Sequence, residues 1–288
     1  MTDHPHPQYP VFVMCGRDPK RRRLMVALDP QEHYKVKALL PFLGKRLIDW
    51  QLEELQKSPY VEGLYLIGVS EEDIRFDYPV HYVPAETTSG FADKLVAGMA
   101  YLNALGMAPD QVVVSSSDAP AIKVGEINTF FEALNKNQPC DFFVSLVPEE
   151  IAEKEFPKSG RAVARFCDHH VFPGELYALS PKAIAVQKDV IEELGQRRRK
   201  INRNKKKVSL GPMIRFVAKR PKTWVMIIKY LLGRATLADG EKALSKAFNL
   251  VIRTVVIPDV GFGMDMDLPE DYERLKAYVK KTKVVPEG

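Results

Sequence analysis

Short apolar segments alternate with amphipathic segments along the first half of the chain, and no other sequence feature constrains the fold as strongly. Residues 11–14, 64–69 and 111–115 are apolar and rich in β-branched side chains, so they are predicted strands. Between them, residues 45–57 and 90–105 carry apolar side chains at helical spacing. Apolar strands that alternate with helices form a mostly parallel sheet covered on both faces. The sequence therefore predicts an α/β fold whose ligand site lies at the carboxyl ends of the strands.

The second half of the chain is less regular, and its positive charge is concentrated in one segment. Residues 195–222 contain twelve Lys and Arg and no Asp or Glu, although the formal net charge of the whole chain is only +5. The remainder is therefore acidic, which argues against a nucleic-acid-binding protein that is basic throughout. We expect one domain over residues 11–288, with a disordered leader at 1–10 and a basic, mostly helical insertion at about 195–249.

The sequence also bears on where the protein resides. No apolar run approaches the roughly 20 residues that a membrane-spanning helix needs. The polar, proline-rich N-terminus is not typical of a secretory signal. The three cysteines have no CxxC spacing. We expect reduced thiols and a cytoplasmic location.

Aspartates and a lysine near predicted strand ends are candidates for chemistry. Asp118 follows the predicted strand 111–115, where a carboxylate can hold a divalent cation in the ligand crevice; its alternative role is to cap or shape the turn that precedes a helix. Asp265 and Asp267 lie in an extended acidic segment, and the alternative for Asp267 is again helix capping. Lys37 could place its ammonium group on a phosphate, and its alternative is a solvated surface lysine.

Four segments in a fixed order resemble the nucleotidyltransferase superfamily: VFVMCGRDPKRRR, KALLPFLGKRLIDW, SSSDAP and DMDLPEDYERLK. The chain is most similar to MobA-like NTP transferases, relatives of the molybdenum cofactor guanylyltransferases and the sugar-nucleotide pyrophosphorylases. The resemblance covers most of the chain outside the leader and the basic insertion. It implies a Rossmann-like, three-layer α/β/α fold of the nucleotide-diphospho-sugar transferase or GT-A type.

The resemblance also implies roles for individual residues. The family's glycine-rich turn matches residues 14–17, where one expected glycine is missing. Asp118 and Asp267 are implied to hold Mg²⁺, with Asp265 as the alternate for Asp267. Lys37 and Asp118 are the implied catalytic residues. The residues implied to bind the nucleotide are Cys15, Gly16, Arg17, Lys37, Ser89 and Gly90.

The implied reaction is Mg²⁺-dependent transfer of a nucleoside monophosphate from an NTP to a phosphorylated acceptor, small or lipid-linked, with release of pyrophosphate. Such catalysis depends on positioning and charge neutralisation. Two alternatives remain open at this point. A GT-A type glycosyltransferase also uses an Asp-x-Asp metal site on a related fold, and the altered glycine turn is compatible with a degenerate nucleotide-binding module without catalysis.

The basic insertion has two interpretations. One is a solvated loop followed by a helix that docks on the domain. The other is peripheral contact with an anionic membrane, to which Lys and Arg are attracted while an adjacent apolar face enters the interface. RNA is a weaker alternative because the basic run lacks interleaved aromatic residues. The residues predicted for the apolar face are Trp224, Ile227, Ile228, Leu231 and Leu232.

Overall fold

The computed structural model of the chain describes residues 6–17, 23–186 and 217–285. The strands are β1 (Tyr9–Met14), β2 (Pro41–Phe42), β3 (Lys45–Arg46), β4 (Val61–Ile67), β5 (His81–Val83), β6 (Val112–Ser116), β7 (Phe142–Pro148), β8 (Ala164–Arg165), β9 (His170–Leu179) and β10 (Ile252–Val256). The helices are α1 (Arg23–Leu28), α2 (Asp49–Gln56), α3 (Phe91–Ala104), α4 (Val124–Lys136), α5 (Glu149–Glu155), α6 (Pro181–Val186), α7 (Trp224–Leu231), α8 (Leu237–Phe248) and α9 (Pro269–Thr282). Three short 3₁₀ turns span Lys37–Leu39, Pro221–Thr223 and Gly261–Gly263.

The main sheet has the strand order β10-β7-β9-β6-β1-β4-β5, and β8 pairs with β9. Strand β1 is parallel to both of its neighbours, β4 and β6. Strand β9 runs antiparallel to β6 and β7. The predicted mostly parallel α/β sheet is thus confirmed, with β9 as a reversed strand. The chain moves outward from β1 to β4 and β5, then returns to β6 on the other side, so the strand order switches at β1.

Helices cover both faces of this sheet, as the three-layer prediction requires. Successive residues of β1 point to opposite faces. Val11 and Val13 pack in one core cluster with residues of α2, α4 and α9, whereas Phe12 packs in a second cluster with residues of α3, α6 and α8. Each side chain is fully buried, and such burial stabilises the fold by about 1.5–3 kcal/mol per side chain.

The structure corrects the predicted start of the helix at 45–57. Lys45 and Arg46 instead form β3, which pairs antiparallel with β2. Leu43 and Gly44, with φ of 49° and 79°, form the two-residue turn between these strands. Two consecutive residues with positive φ give the turn that suits a tight hairpin. Helix α2 begins at Asp49, so the local turn geometry outweighed the helical spacing here.

The predicted insertion is described from residue 217 onward. There the 3₁₀ turn Pro221–Thr223 leads into α7 and then α8. The turn is held by Thr223, which is fully buried and whose Oγ1 donates to the backbone O of Val217 at 2.8 Å. Residues 195–216 of the insertion and 1–5 of the leader lie outside the described residues, so the domain boundaries stay predictions. In the described ranges, no helix is long and apolar enough to cross a membrane.

Candidate active site

The candidate site lies at the carboxyl end of β1, where the strand order switches. The glycine turn with Gly16 directly follows β1, and Asp118 follows the neighbouring strand β6. The two strand ends are tied together by Ser117, whose Oγ donates to the backbone O of Met14 at 2.9 Å. Open α/β sheets bind ligands at such switch points, so the placement agrees with the expectation from the sequence.

Three carboxylates form an acidic cluster at this edge. One oxygen each from Asp118, Asp265 and Asp267 lies within 4.8 Å of the others. The sequence interpretation paired Asp118 with Asp267 and kept Asp265 as an alternate, but the structure brings both together with Asp118. Residues i and i+2 of an extended segment share a face, which accounts for this arrangement. Burial raises the pKa of the Asp118 carboxyl, and the Lys37 ammonium opposes that increase.

The ammonium group of Lys37 lies among these carboxylates. Lys37 begins the 3₁₀ turn Lys37–Leu39, and its Nζ forms ion pairs with Asp118 and, at 2.6 Å, with Oδ1 of Asp267. It also donates to the backbone O of Met266 at 2.9 Å. Burial by itself lowers the pKa of Lys37, but the neighbouring carboxylates raise it above its usual value, so the side chain is charged. The alternative of a solvated surface lysine does not describe this residue.

A second cation, Arg161, contacts the same cluster. Its guanidinium forms an ion pair with the Asp265 carboxylate and donates to the Asp265 backbone O at 3.2 Å. Burial works against its charge, but Asp265 raises the pKa of Arg161. Sequence reasoning missed this residue, because it lies in the irregular segment before β8 and no spacing connects it with the C-terminal aspartates.

Buried hydrogen bonds hold the turn that carries Asp118. Gln51 of α2 is fully buried, and its Nε2 donates to Ser115 Oγ and to the backbone O of Ser116. Its Oε1 accepts from the backbone N of Ala119 at 3.1 Å. These bonds fix both sides of Asp118, whose own backbone O accepts from the N of Met266 at 3.0 Å. Gln51 was also missed, since its position among the apolar residues of a predicted helix gave no functional signal.

Of the glycine-turn residues predicted to bind the nucleotide, only some have side chains outside the core. The Cys15 thiol is fully buried, and burial raises its pKa to about 12, so it faces the core as a neutral group. The predicted contact of Cys15 with the nucleotide can therefore involve only its backbone, whose N already donates to the O of Ile67 at 2.9 Å. Gly16 and Arg17 are exposed, and the backbone N of Arg17 donates to the O of Thr87 at 3.1 Å.

Ser89 and Gly90, which the resemblance implies bind the nucleotide, lie near this turn. Ser89 Oγ donates to the O of Glu86 at 2.7 Å, and Gly90 is the N-cap of α3. The buried Lys94 of α3 donates from Nζ to the O of Thr87 at 2.7 Å and to the O of Ser89 at 3.0 Å.

Lys94 also lies close to Gly16. A Cβ on Gly16 would lie 3.0 Å from Lys94 Nζ. Lys94 Nζ and the backbone N of Arg17 both donate to the O of Thr87, so Lys94 is linked to the glycine turn through that carbonyl. Sequence reasoning missed it, because a lone lysine in an amphipathic helix is normally a surface residue.

Comparisons with known proteins agree with this geometry. The chain matches the MobA-like NTP transferase domain over residues 32–204, which is more than half of its length. No match was found among curated proteins.

Solved structures share the fold over nearly the whole chain. A hypothetical transferase from Thermus thermophilus has a TM-score of 0.65 and 21% identity, covering 92% of this chain and 99% of its own. A CMP:2-keto-3-deoxy-manno-octonic acid synthetase, solved with CTP, has a TM-score of 0.53 and 13% identity, covering 96% and 99%. A 4-diphosphocytidyl-2C-methyl-D-erythritol synthase from Anaerococcus prevotii has a TM-score of 0.51 and 11% identity, covering 95% and 99%.

At these identities the structural likeness establishes the fold alone, and the sequence match establishes the family. The matched region contains Lys37, Ser89, Asp118 and Arg161, while the glycine turn and the C-terminal aspartates lie outside it. The chain belongs to the family of MobA-like NTP transferase domains and is a nucleotidyltransferase.

Proposed function

We propose that this protein transfers a nucleoside monophosphate from an NTP to a phosphorylated acceptor in an Mg²⁺-dependent reaction that releases pyrophosphate. The observation that carries the proposal is the acidic cluster of Asp118, Asp265 and Asp267 with the Lys37 ammonium among its carboxylates. The cluster lies beside a glycine turn at the switch point of the sheet, which is where an α/β enzyme binds phosphates.

The acidic cluster fits a divalent metal ion by the chemistry of its donors. Mg²⁺ prefers oxygen ligands and is commonly bound through one or two carboxylates together with substrate phosphates. Three carboxylate oxygens within 4.8 Å of one another supply such a donor set, and two of these carboxylates, Asp118 and Asp267, already pair with one cation, Lys37. Asp118 and Asp267 would hold the ion, with Asp265 beside them, and the bound ion would offset negative charge on the phosphates.

The residues of the chain would contribute charge and position. In the proposed reaction, an oxygen of the acceptor phosphate attacks the α-phosphorus of the NTP. A new P–O bond forms, the bond from the α-phosphorus to the bridging oxygen breaks, and pyrophosphate leaves with that electron pair. The acceptor oxygen is already anionic, so no side chain has to remove a proton. The Lys37 ammonium, on an adaptable side chain, would stabilise negative charge on the triphosphate.

The nucleotide would lie along the glycine turn. Gly16 has no side chain to obstruct the phosphates, and the exposed Arg17 next to it adds positive charge. Lys94 Nζ donates to the O of Thr87 and to the O of Ser89, and Thr87 O also accepts from Arg17 N of the turn. We place the contacts with the nucleotide base at Ser89 and Gly90, beside this turn. The role of Cys15 is limited to its backbone, because its thiol lies in the core.

The decisive experiment is a turnover assay with each common NTP, Mg²⁺ and a panel of phosphorylated sugars, alcohols and lipid phosphates. We expect release of pyrophosphate together with an acceptor product that mass spectrometry finds heavier by one nucleoside monophosphate. Chelation by EDTA should stop the reaction. Asp118→Asn and Asp267→Asn should each lower kcat by about 10²–10³-fold, as the loss of one charge-stabilising group typically does.

Asp73→Asn is the matched control, because Asp73 forms an ion pair with Lys35 at 2.7 Å outside the cluster. It should leave turnover unchanged. Consumption of a nucleotide sugar without pyrophosphate release would instead identify a glycosyltransferase. Nucleotide binding with no turnover on any acceptor class would favour the binding module.

A further inference from the structure

Helix α7 presents an apolar face that does not pack against the domain. No residue of this helix is buried. Met226 and Ile227 are partly buried and pack against the core, so the structure corrects the sequence interpretation that placed Ile227 on the exposed face. The exposed residues, called the α7 face below, are Trp224 (55% exposed), Val225 (71%), Ile228 (58%), Leu231 (70%) and Leu232 (65%). A contiguous exposed cluster of this kind marks an interaction surface.

The α7 face is held in place by a hydrogen bond from Trp224 and by contacts on the other side of the helix. Trp224 Nε1 donates to the backbone O of Ala218 at 2.8 Å, which leaves the indole ring exposed but oriented. The hydroxyl of Tyr230 accepts from the backbone N of Arg165 at 2.9 Å, and its ring packs edge-on against Phe166. The apolar side chains therefore project from a helix that is fixed to the domain.

Exposed cationic side chains flank the α7 face along the chain, and the segment that carries this face contains no acidic residue. Residues 217–234 contain no Asp or Glu. One cation, Lys229, forms an ion pair with Asp239 of α8 at 3.0 Å. The exposed cations of the segment are Lys219, Lys222, Lys229 and Arg234. These four cations are called the basic rim below, and a segment that combines them with an exposed apolar face is complementary to a surface that combines hydrocarbon with negative charge.

We propose that the α7 face docks on the surface of a bilayer containing anionic lipids. The apolar side chains would enter the boundary between headgroups and acyl chains, and the basic rim would contact the lipid phosphates. Eight residues are far too few to span a bilayer of about 30 Å, so the helix lies in the interface.

The arrangement of charge favours a bilayer over a second copy of the chain. A symmetric dimer through this face would bring the same surface of each subunit together. The two basic rims would then oppose each other, which is electrostatically unfavourable. The proposal does not depend on nucleotidyl transfer, because the residues of the α7 face are separate from the acidic cluster.

Vesicle co-sedimentation of the full chain tests the proposal. The probes are vesicles of phosphatidylcholine alone and vesicles of phosphatidylcholine mixed with phosphatidylserine. We expect retention on the anionic vesicles only, and a strong decrease as salt shortens the screening length from about 10 Å at 0.1 M to about 3 Å at 1 M. Ile228→Ser/Leu231→Ser should lower the apparent affinity for anionic vesicles by at least about tenfold, because two large apolar side chains leave the interface.

A matched variant controls for loss of exposed apolar surface in general. Val96 and Leu105, at α3 and its C-terminal end, are 42% and 48% exposed. Val96→Ser/Leu105→Ser should leave vesicle binding unchanged, and circular dichroism should show native folding for both double variants. Equal retention on neutral and anionic vesicles, or on neither, would overturn the proposal. A dimer in light scattering that Ile228→Ser/Leu231→Ser dissociates would assign the face to a second copy.

Discussion

Replacing Lys37 by methionine should destabilise the metal-free protein and make it more responsive to Mg²⁺. Methionine keeps most of the side-chain volume and removes the charge. In the structure the Lys37 ammonium pairs with Asp118 and lies 2.6 Å from Asp267. Without this ammonium, the carboxylates of Asp118, Asp265 and Asp267 still lie within 4.8 Å of one another. The charge of Lys37 then no longer offsets their mutual repulsion.

The expected cost follows from the burial of the ion pairs. Removing one partner of a buried pair typically costs 3–5 kcal/mol, because a charge remains buried without compensation. The side chains of Asp118 and Asp267 are 8% and 15% exposed, and that of Lys37 is 22% exposed. This partial exposure places the expected loss near the lower end, at about 3 kcal/mol.

Urea denaturation in EDTA and in Mg²⁺ measures both parts of the prediction. A ligand at 100 times its Kd adds about 2.7 kcal/mol to the free energy of unfolding. In the wild type, Mg²⁺ must displace the Lys37 ammonium from the carboxylates, whereas in Lys37→Met it enters a cluster that lacks this competitor. Mg²⁺ should therefore stabilise the variant more than the wild type. Adding Asp267→Asn to the variant should recover part of the loss in EDTA.

Lys45→Met is the matched control for the loss of a paired lysine. Lys45 Nζ lies 2.5 Å from Glu53, with side chains 27% and 38% exposed. This pair is partly exposed and contains one carboxylate where the Lys37 site has three, so its loss should cost about 1 kcal/mol or less, and Mg²⁺ should not change the effect. The reasoning is refuted if Lys37→Met in EDTA is as stable as Lys45→Met, or if Mg²⁺ stabilises the wild type and Lys37→Met equally.

Three further predictions concern other parts of the structure. Lys94→Met removes the bond to the O of Thr87 beside the glycine turn, so in steady-state assays it should raise KM for the NTP on the order of tenfold with little change in kcat. The control Lys242→Met, at an exposed lysine, should change neither KM nor kcat. Gly261→Ala should cost about 1–3 kcal/mol in urea denaturation, because its Cβ would lie 2.3 Å from the O of Ala121; Gly125→Ala, in open space, should not destabilise. Burial lowers the pKa of Lys283 from 10.5 to about 8, so between these values the unfolded chain holds a proton that the folded chain has released. Wild-type stability should therefore rise with pH across this window relative to Lys283→Met, and a constant difference between the two would contradict the assigned burial.

The sheet was predictable because buried strands and amphipathic helices have different apolar periodicities. The predicted strands at 11–14 and 111–115 correspond to β1 and β6, and the rule for ligand sites placed Asp118 at the correct edge. The direction of β9 was not predictable, since a buried strand has the same composition in either direction. The hairpin at Leu43–Gly44 was overlooked because the apolar residues that follow it fit a helical pattern, which was extended back to Lys45.

The candidate site was only partly predictable, for a related reason. Asp118 follows a predicted strand and Lys37 begins the segment KALLPFLGKRLIDW, so both could be assigned from the order of the motifs. Arg161, Gln51 and Lys94 act through contacts between elements that are distant in sequence, and the sequence pattern does not encode those contacts. Cys15, in contrast, was predicted to contact the nucleotide because it lies in the glycine turn, but its thiol is buried in the core. The position of a residue in a turn does not determine which way its side chain points.

The charges in the acidic cluster suggest why its parts come from remote segments. Three carboxylates, those of Asp118, Asp265 and Asp267, are contacted by two cations, Lys37 and Arg161, so these five groups together carry one net negative charge. In the proposed function a divalent cation would bind this cluster, and the five ionised groups together with that cation would carry one net positive charge, which suits the phosphates of an NTP. The interactions among these five groups are strong only where the groups are partly buried, because salt and solvent screen exposed charges. The packing of the C-terminal segment against the Asp118 turn, through the bond from Met266 N to Asp118 O, supplies that partial burial. The residues that build the fold and those that set the charge of the site are therefore linked by the same backbone contact.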